Sequence, residues 1–258
     1  MTGSNEFQFF WSEGPLNWVS QLCLRSFTRY SDVTVHLYSY DRDLNPDIPG
    51  VICHDASEYF PLEIYKRVKS IFEGPDNRFG YATAADLFRY KLLYEKGGWY
   101  FDTDCLLLKP LTPLFDRDYV FGWETATRVN NAVLKFPKGD VMLDQLYNEH
   151  VQSPVGDTWM SLFTQYLKKF NLIDRALPRE YFYGINWLGQ PHSSLLEEHE
   201  YILHCFASTK DPWFQSKFDP QVKSLEREIE MLNKSLSLRI ARKIPFGKEI
   251  RKILIKDE

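Results

Sequence analysis

Two hydrophobic periods alternate along the chain. FQFFW (7–11) is a short aromatic run that predicts a strand. SEGP turns the chain, and Pro15 suits the first position of a helix, where its missing N–H has no partner to lose. Leu16, Val19, Leu22, Cys23 and Phe27 then recur near the helical period, predicting a helix over 16–29. In DVTVHLYSY (32–40), Val33, Val35 and Leu37 alternate with Thr34, His36 and Tyr38, the period of a strand. Strand, helix and strand in that order predict a right-handed βαβ crossover. DRDLNPDIPG reads as a loop, followed by the apolar run Val51–Cys53. ATAADLFRYKLLYEK predicts a helix from Ala82 to Lys96, with Gly97-Gly98 as its stop. WYFDTDCLLL (99–108) reads as a strand interrupted by two acids, DYVFGWE (118–124) as another, and NNAVLKFPKGD as a strand ending in a turn. Helices are predicted over 140–151 and 157–170, and a late strand over Tyr201–Cys205.

The C-terminal stretch differs in kind. Leu225, Ile229, Leu232, Leu236, Ile240 and Ile244 step by three or four and form one apolar stripe, broken at Pro245 and Gly247. From Lys234 to Lys256 there are eight Lys and Arg against one acid, a net +7, which leaves −11 for the rest of a chain whose total is −4. This predicts an α/β domain over residues 1–220 and a basic amphipathic helical tail over 221–258. Such a helix suits an anionic membrane surface; packing on the domain and a dimeric coiled coil fit the same pattern.

Composition narrows the class. The hydrophobic fraction of 44% is that of a globular protein and excludes a disordered chain. No apolar run approaches the roughly 18 residues of a membrane span. An overall negative charge argues against nucleic acid as partner. The N-terminus lacks the basic and apolar regions of a signal peptide. Cys23, Cys53, Cys105 and Cys205 lie far apart, without metal-ribbon spacing, and read as reduced, mostly buried thiols of a cytoplasmic protein. The aromatic fraction, 16%, suits both a core and stacking sites for flat or cyclic ligands.

The candidate chemistry centres on Asp102-Thr103-Asp104. On a strand these two acids face one side, about 7 Å apart, a costly arrangement unless they meet a cation and a diphosphate. Oxygen donors of this kind suit Mg²⁺ or Mn²⁺; the plain alternative is a solvated turn. In the preceding helix Asp86, Arg89 and Tyr90 stand at i, i+3 and i+4 and share a face. Asp86 and Arg89 together offer an acceptor and a donor for sugar hydroxyls, or form an ordinary surface pair.

The segment AADLFRYKLLYEKGGWYFDTDCLLLKPL resembles the sugar-binding region of the D-x-D glycosyltransferases of family 32, and is similar to the catalytic domains of the large glucosylating toxins. FFWSEGPL resembles that family's opening strand and HCFASTKDPW its closing segment. The resemblance implies a GT-A fold, a nucleotide-sugar-binding α/β domain with a mixed central sheet flanked by helices. It further implies metal-dependent transfer with retention of anomeric configuration. It assigns Asp86, Arg89, Asp102 and Asp104 to catalysis. Trp11 would stack on uracil, with Tyr100, Asn130, Asn131, Ser208 and Trp213 as further donor contacts. Asp104, Asp102 and His204 would hold Mn²⁺ or Mg²⁺. His36, His54, His150, His192 and His199 gain no such context and read as core or surface residues.

The function expected is transfer of a sugar, from a UDP-sugar by preference, to a glycan or lipid-linked glycan acceptor, on the inner face of a membrane in bacterial surface polysaccharide synthesis. Toxin-like modification of a protein is the alternative enzyme, and a nucleotide-sugar-binding module the alternative of another class. An aspartyl phosphohydrolase is disfavoured, because Leu106 stands where its D-x-D-x-T motif has Thr.

Overall fold

The apolar runs of the first half build the centre of a sheet. β1 (Phe7–Phe10), β2 (Val35–Ser39), β3 (Val51–Asp55) and β4 (Gly98–Phe101) are all parallel neighbours, in the order β3-β2-β1-β4. β1, β2 and β4 are buried at every residue, as near-continuous apolar strands covered on both faces should be. β7 (Val129–Phe136) then pairs antiparallel with β4, and β6 (Val120–Trp123) antiparallel with β7, which makes the sheet six-stranded and mixed. A second sheet pairs β5 (Cys105–Leu107) with β8 (Ile202–His204).

The structure is a computed structural model and describes residues 6–30, 33–71, 78–153, 159–184 and 200–205. These belong to one compact unit, Met1–Phe206. Ser208, Trp213, the boundary at 220/221 and the tail over 221–258 lie outside the described residues. Among the described residues no helix is long and apolar enough to cross a membrane.

Helices cover the sheet on both faces. α1 (Trp18–Tyr30) lies over one face, where Cys23, Leu24 and Phe27 meet Phe7, Phe9, Trp99 and Phe101. On the other face α2 (Leu62–Ile71), α3 (Arg78–Lys96), α4 (Val141–Gln152) and α5 (Trp159–Lys169) enclose Phe10, Tyr38, Tyr100 and Phe136. α3 is buried nearly all round, through Ala84, Leu87, Phe88, Tyr90, Leu92 and Leu93. Any charge it carries along that stretch must therefore be paired inside the protein.

The α/β class and the mixed central sheet flanked by helices are as expected. Several details differ. Pro15 lies before α1, whose first turn is capped instead by Asn17, with Ser20 N–H donating to Asn17 Oδ1 at 2.9 Å. The predicted strand 99–108 is two strands in different sheets, β4 and β5, with Asp102-Thr103-Asp104 as the turn between them. Strand alternation therefore does not orient the two acids; the turn does, closed by Cys105 N–H on the Asp102 carbonyl at 3.1 Å. α2 is a helix not named from the sequence, although Leu62, Tyr65, Val68 and Ile71 recur at helical spacing; only Tyr65 and Val68 of its ten residues are buried. Gly97 does end α3, at φ +68°, and a β-carbon there would stand 2.5 Å from the Lys138 backbone nitrogen. All four cysteines are free, but only Cys23 and Cys105 are buried; Cys53 is exposed and Cys205 half-buried. An edge strand, β3, leaves Cys53 uncovered.

Candidate donor and metal site

The site forms where the parallel strands end, the edge at which open α/β sheets bind ligands. Phe9 and Phe101 are paired in register, so Trp11 and Asp102 emerge at the same edge from neighbouring strands. Trp11 is half-buried; its indole N–H donates to the Gly14 carbonyl at 2.9 Å, which fixes the ring.

α3 delivers Asp86 and Arg89 to this edge one helical turn apart. Both are buried, and the Arg89 guanidinium joins four partners, its Nε donating to the Ala85 carbonyl at 3.4 Å. One terminal nitrogen reaches Asp86 Oδ1 and Asp102 Oδ1, each at 3.0 Å. The other donates to Asp102 Oδ2 at 3.3 Å and to the Asn131 carbonyl at 2.6 Å. Bidentate capture of Asp102 locks the carboxylate plane. Tyr100 lies buried beneath, its ring centroid 4.9 Å from the guanidinium carbon. Its contact is thus with Arg89.

Two carboxylates share one guanidinium, so the cluster carries a net negative charge in a dry place. Burial, with Asp102 adding to it and Arg89 opposing it, pushes the Asp86 carboxyl up to about 7. Burial likewise raises Asp102 against the pull of Arg89, although a quarter of its side chain (26%) is open to solvent. Asp86 Oδ1 is satisfied twice, by Arg89 and by Asn131 Nδ2 at 2.9 Å. Asp86 Oδ2, equally buried, has no hydrogen-bond partner among the described residues.

The two adjacent asparagines of β7 point apart, as successive strand residues do. Asn131 Nδ2 also donates to Tyr90 Oη at 2.7 Å. Asn130 turns the other way, donating to Glu124 Oε2 at 3.2 Å and accepting from Ala132 N–H at 2.8 Å. Only Asn131 therefore joins the Asp86 cluster. Sequence reasoning placed Tyr90 on the right helix face but gave it no role, and it missed Glu124, which as the last residue of a predicted strand carried no signal.

Asp104 faces His204, with Oδ1 3.2 Å from Nε2. The antiparallel register of β5 and β8 sets this up, since Cys105 pairs with His204 and the Cys205 N–H bonds the Asp104 carbonyl at 2.9 Å. Burial alone would push the imidazole down; the Asp104 carboxylate, with Asp102 and Glu124 beyond, holds it above its ordinary value. Asp104, Cys105 and His204 bring three ligand atoms within 4.8 Å of one another. Burial keeps the Cys105 thiol protonated, its Sγ 3.9 Å from the Ala132 carbonyl. The donor set for a cation is therefore one carboxylate and one imidazole, with Asp102 engaged by Arg89. Oxygen with nitrogen fits Mn²⁺ better than Mg²⁺, which prefers oxygen alone.

Residues 27–121 match the family described as a glycosyltransferase sugar-binding region containing a D-x-D motif, a span that includes Asp86, Arg89, Asp102 and Asp104. No curated protein matches its sequence significantly. Similar solved structures include the PaToxG glycosyltransferase, 16% identical, aligned over 65% of this chain and 69% of that one with a TM-score of 0.49. The apo form of the glycosyltransferase GlyE of Streptococcus pneumoniae TIGR4 is also 16% identical, over 80% of this chain and 55% of that one, at 0.46. The chain thus spans about half the length of GlyE. A transferase mutant with two cysteines replaced by serine is 14% identical, over 66% and 86%, at 0.41.

Proposed function

We propose that the protein is a metal-dependent, retaining glycosyltransferase that moves a sugar from a nucleotide sugar to a glycan hydroxyl. The observation that carries this reading is the buried Asp86–Arg89–Asp102 network, whose Asp102 side chain is 26% open to solvent and stands two residues before Asp104, itself paired with His204. Asp86 and Arg89 orient donor sugar hydroxyls, and Trp11 at the same edge offers a ring for uracil, which favours a UDP-sugar. Asp104 and His204 hold Mn²⁺, which when bound neutralises the diphosphate leaving group. Asp102, fixed by Arg89, presents its exposed side to donor hydroxyls. Retention rests on the resemblance of the segment around these residues to retaining enzymes.

Purified protein incubated with Mn²⁺ and a panel of UDP- and GDP-sugars should release nucleoside diphosphate from one donor, with release depending on metal. Asp104→Asn should lower that release at least a hundredfold, on the order of a lost electrostatic partner in a transition state, with its melting temperature unchanged. Release that survives in Asp104→Asn overturns the metal assignment. Absence of donor binding by calorimetry overturns the transferase.

A further inference from the structure

The turn joining β6 to β7 and one face of α5 border an open cleft of about 380 Å³. That lies toward the low end of the roughly 300–1,000 Å³ of small-molecule sites. Thr125, Thr127 and Arg128 form one wall, and Ser161, Gln165 and Lys168 the other. The last three are spaced by four and three, so they share one face of the helix, and all three are exposed. The two walls are joined by Thr164, whose hydroxyl accepts from Val129 N–H at 3.1 Å. A polar helix face normally meets only water. Here it faces a wall of hydroxyls and a guanidinium, so donors and acceptors line both sides of one solvent-open cleft.

The cleft is linked to the donor cluster along the first residues of β7. Arg128 makes a two-point contact with Glu124, Nε to Oε2 and the terminal nitrogen to Oε1, both at 3.1 Å. Buried Glu124 also accepts from Asn130 at the same Oε2, and the next residue of the strand, Asn131, with its side chain turned the other way, binds Asp86. The charge of Arg128 is balanced by Glu124. Lys168 has no ion pair among the described residues, and it leaves the cleft with one net positive charge.

We propose that this cleft is the acceptor subsite, taking a hydroxylated sugar that carries one negative group, a carboxylate or a phosphate ester. This deepens the transferase reading above and rests on it. In the transfer, an acceptor hydroxyl oxygen bonds the anomeric carbon as that carbon's bond to the diphosphate breaks, and the hydroxyl proton leaves with the nucleoside diphosphate. Lys168 reads the anion, while Thr125, Thr127, Ser161 and Gln165 read hydroxyls.

The test is calorimetric binding of methyl β-glucuronide, glucose 6-phosphate and methyl β-glucoside to the full chain, to Lys168→Glu and to the blocked variant Ser161→Trp. A charged probe should bind about tenfold more tightly than the neutral glucoside, a difference of one decade in Kd. Lys168→Glu should abolish that advantage, and Ser161→Trp should remove binding of every probe. The tighter of glucuronide and phosphate names the anion. Equal affinity for charged and neutral probes, or affinities untouched by both variants, overturns the proposal. Acceptor-free donor hydrolysis is measured in the same proteins and should be unchanged in both. Hydrolysis absent from the unaltered chain as well, with probe binding intact, would sink the transferase reading and not the cleft.

Discussion

Two polar clusters interrupt the same apolar sheet, and they are stabilised in opposite ways. At the ends of β1 and β4, Arg89 is ionised and its charge is met by Asp86, Asp102 and the Asn131 carbonyl. On the outer strands β2 and β3, His36 Nδ1 and His54 Nε2 approach to 2.8 Å, with Tyr38 stacked on His54. Burial first, and Lys96 second, lowers both imidazoles, so this pair is neutral and shares one hydrogen. His150 takes the same course alone: it is 1% exposed, neither ring nitrogen has a hydrogen-bond partner among the described residues, and burial pushes it down to about 4. The Arg89 cluster keeps charge, and so it needs many partners. The histidines are buried by giving up charge.

The contrast is broken most severely at Arg89. Arg89→Ala leaves two carboxylates facing each other in a buried place, and should cost about 3–5 kcal/mol of stability, read by denaturant unfolding. A cost under about 1 kcal/mol would mean that water reaches the cluster freely. Asp86→Asn in the Arg89→Ala background should recover part of the loss, since it removes one of the two opposed charges.

Acid should reveal the histidines next. Their folded pKa values lie below the unfolded value, so the unfolded chain binds more protons in that window and stability rises with pH. The contribution of His150 is complete above about pH 6.5 and is lost as pH falls toward about 4. A shift of that size corresponds to about 3 kcal/mol. Urea midpoints measured between pH 7 and 4 should fall, and His150→Leu should flatten the slope; an unchanged slope would place the proton elsewhere.

The smallest effect is expected at the surface. Arg42 pairs with Asp55 at 2.7 Å, but the arginine side chain is 81% exposed. Arg42→Ala should therefore cost less than about 1 kcal/mol in a thermal melt. If it matched Arg89→Ala, burial would not be what makes the donor-side pairings matter.

Much of this organisation was legible before folding. α3 announced itself through its apolar density and Gly97-Gly98, and the residues that cluster on its far turn were readable from their spacing. α2 was equally legible and was passed over: Leu62, Tyr65, Val68 and Ile71 step by three along its ten residues. Pro15 misled for a local reason: Asn17, two residues on, supplies the side-chain oxygen that caps α1. The D-x-D segment read as one strand because its flanks are both apolar, yet those flanks serve two different sheets.

The sequence by itself determined the strands and helices that carry strong periodicity, the placement of Asp86 and Arg89 on one helix face, and the presence of two acids in a D-x-D segment. Those follow from local spacing, which fixes direction within an element. Tertiary structure alone decided that Asp102 is bound by Arg89 while Asp104 faces His204, and that Asn131 joins the site while Asn130 turns to Glu124. It alone built the cleft between the β6–β7 turn and α5. These depend on sheet register and on which elements meet, contacts between residues far apart in the chain, for which no local pattern is needed and none is written.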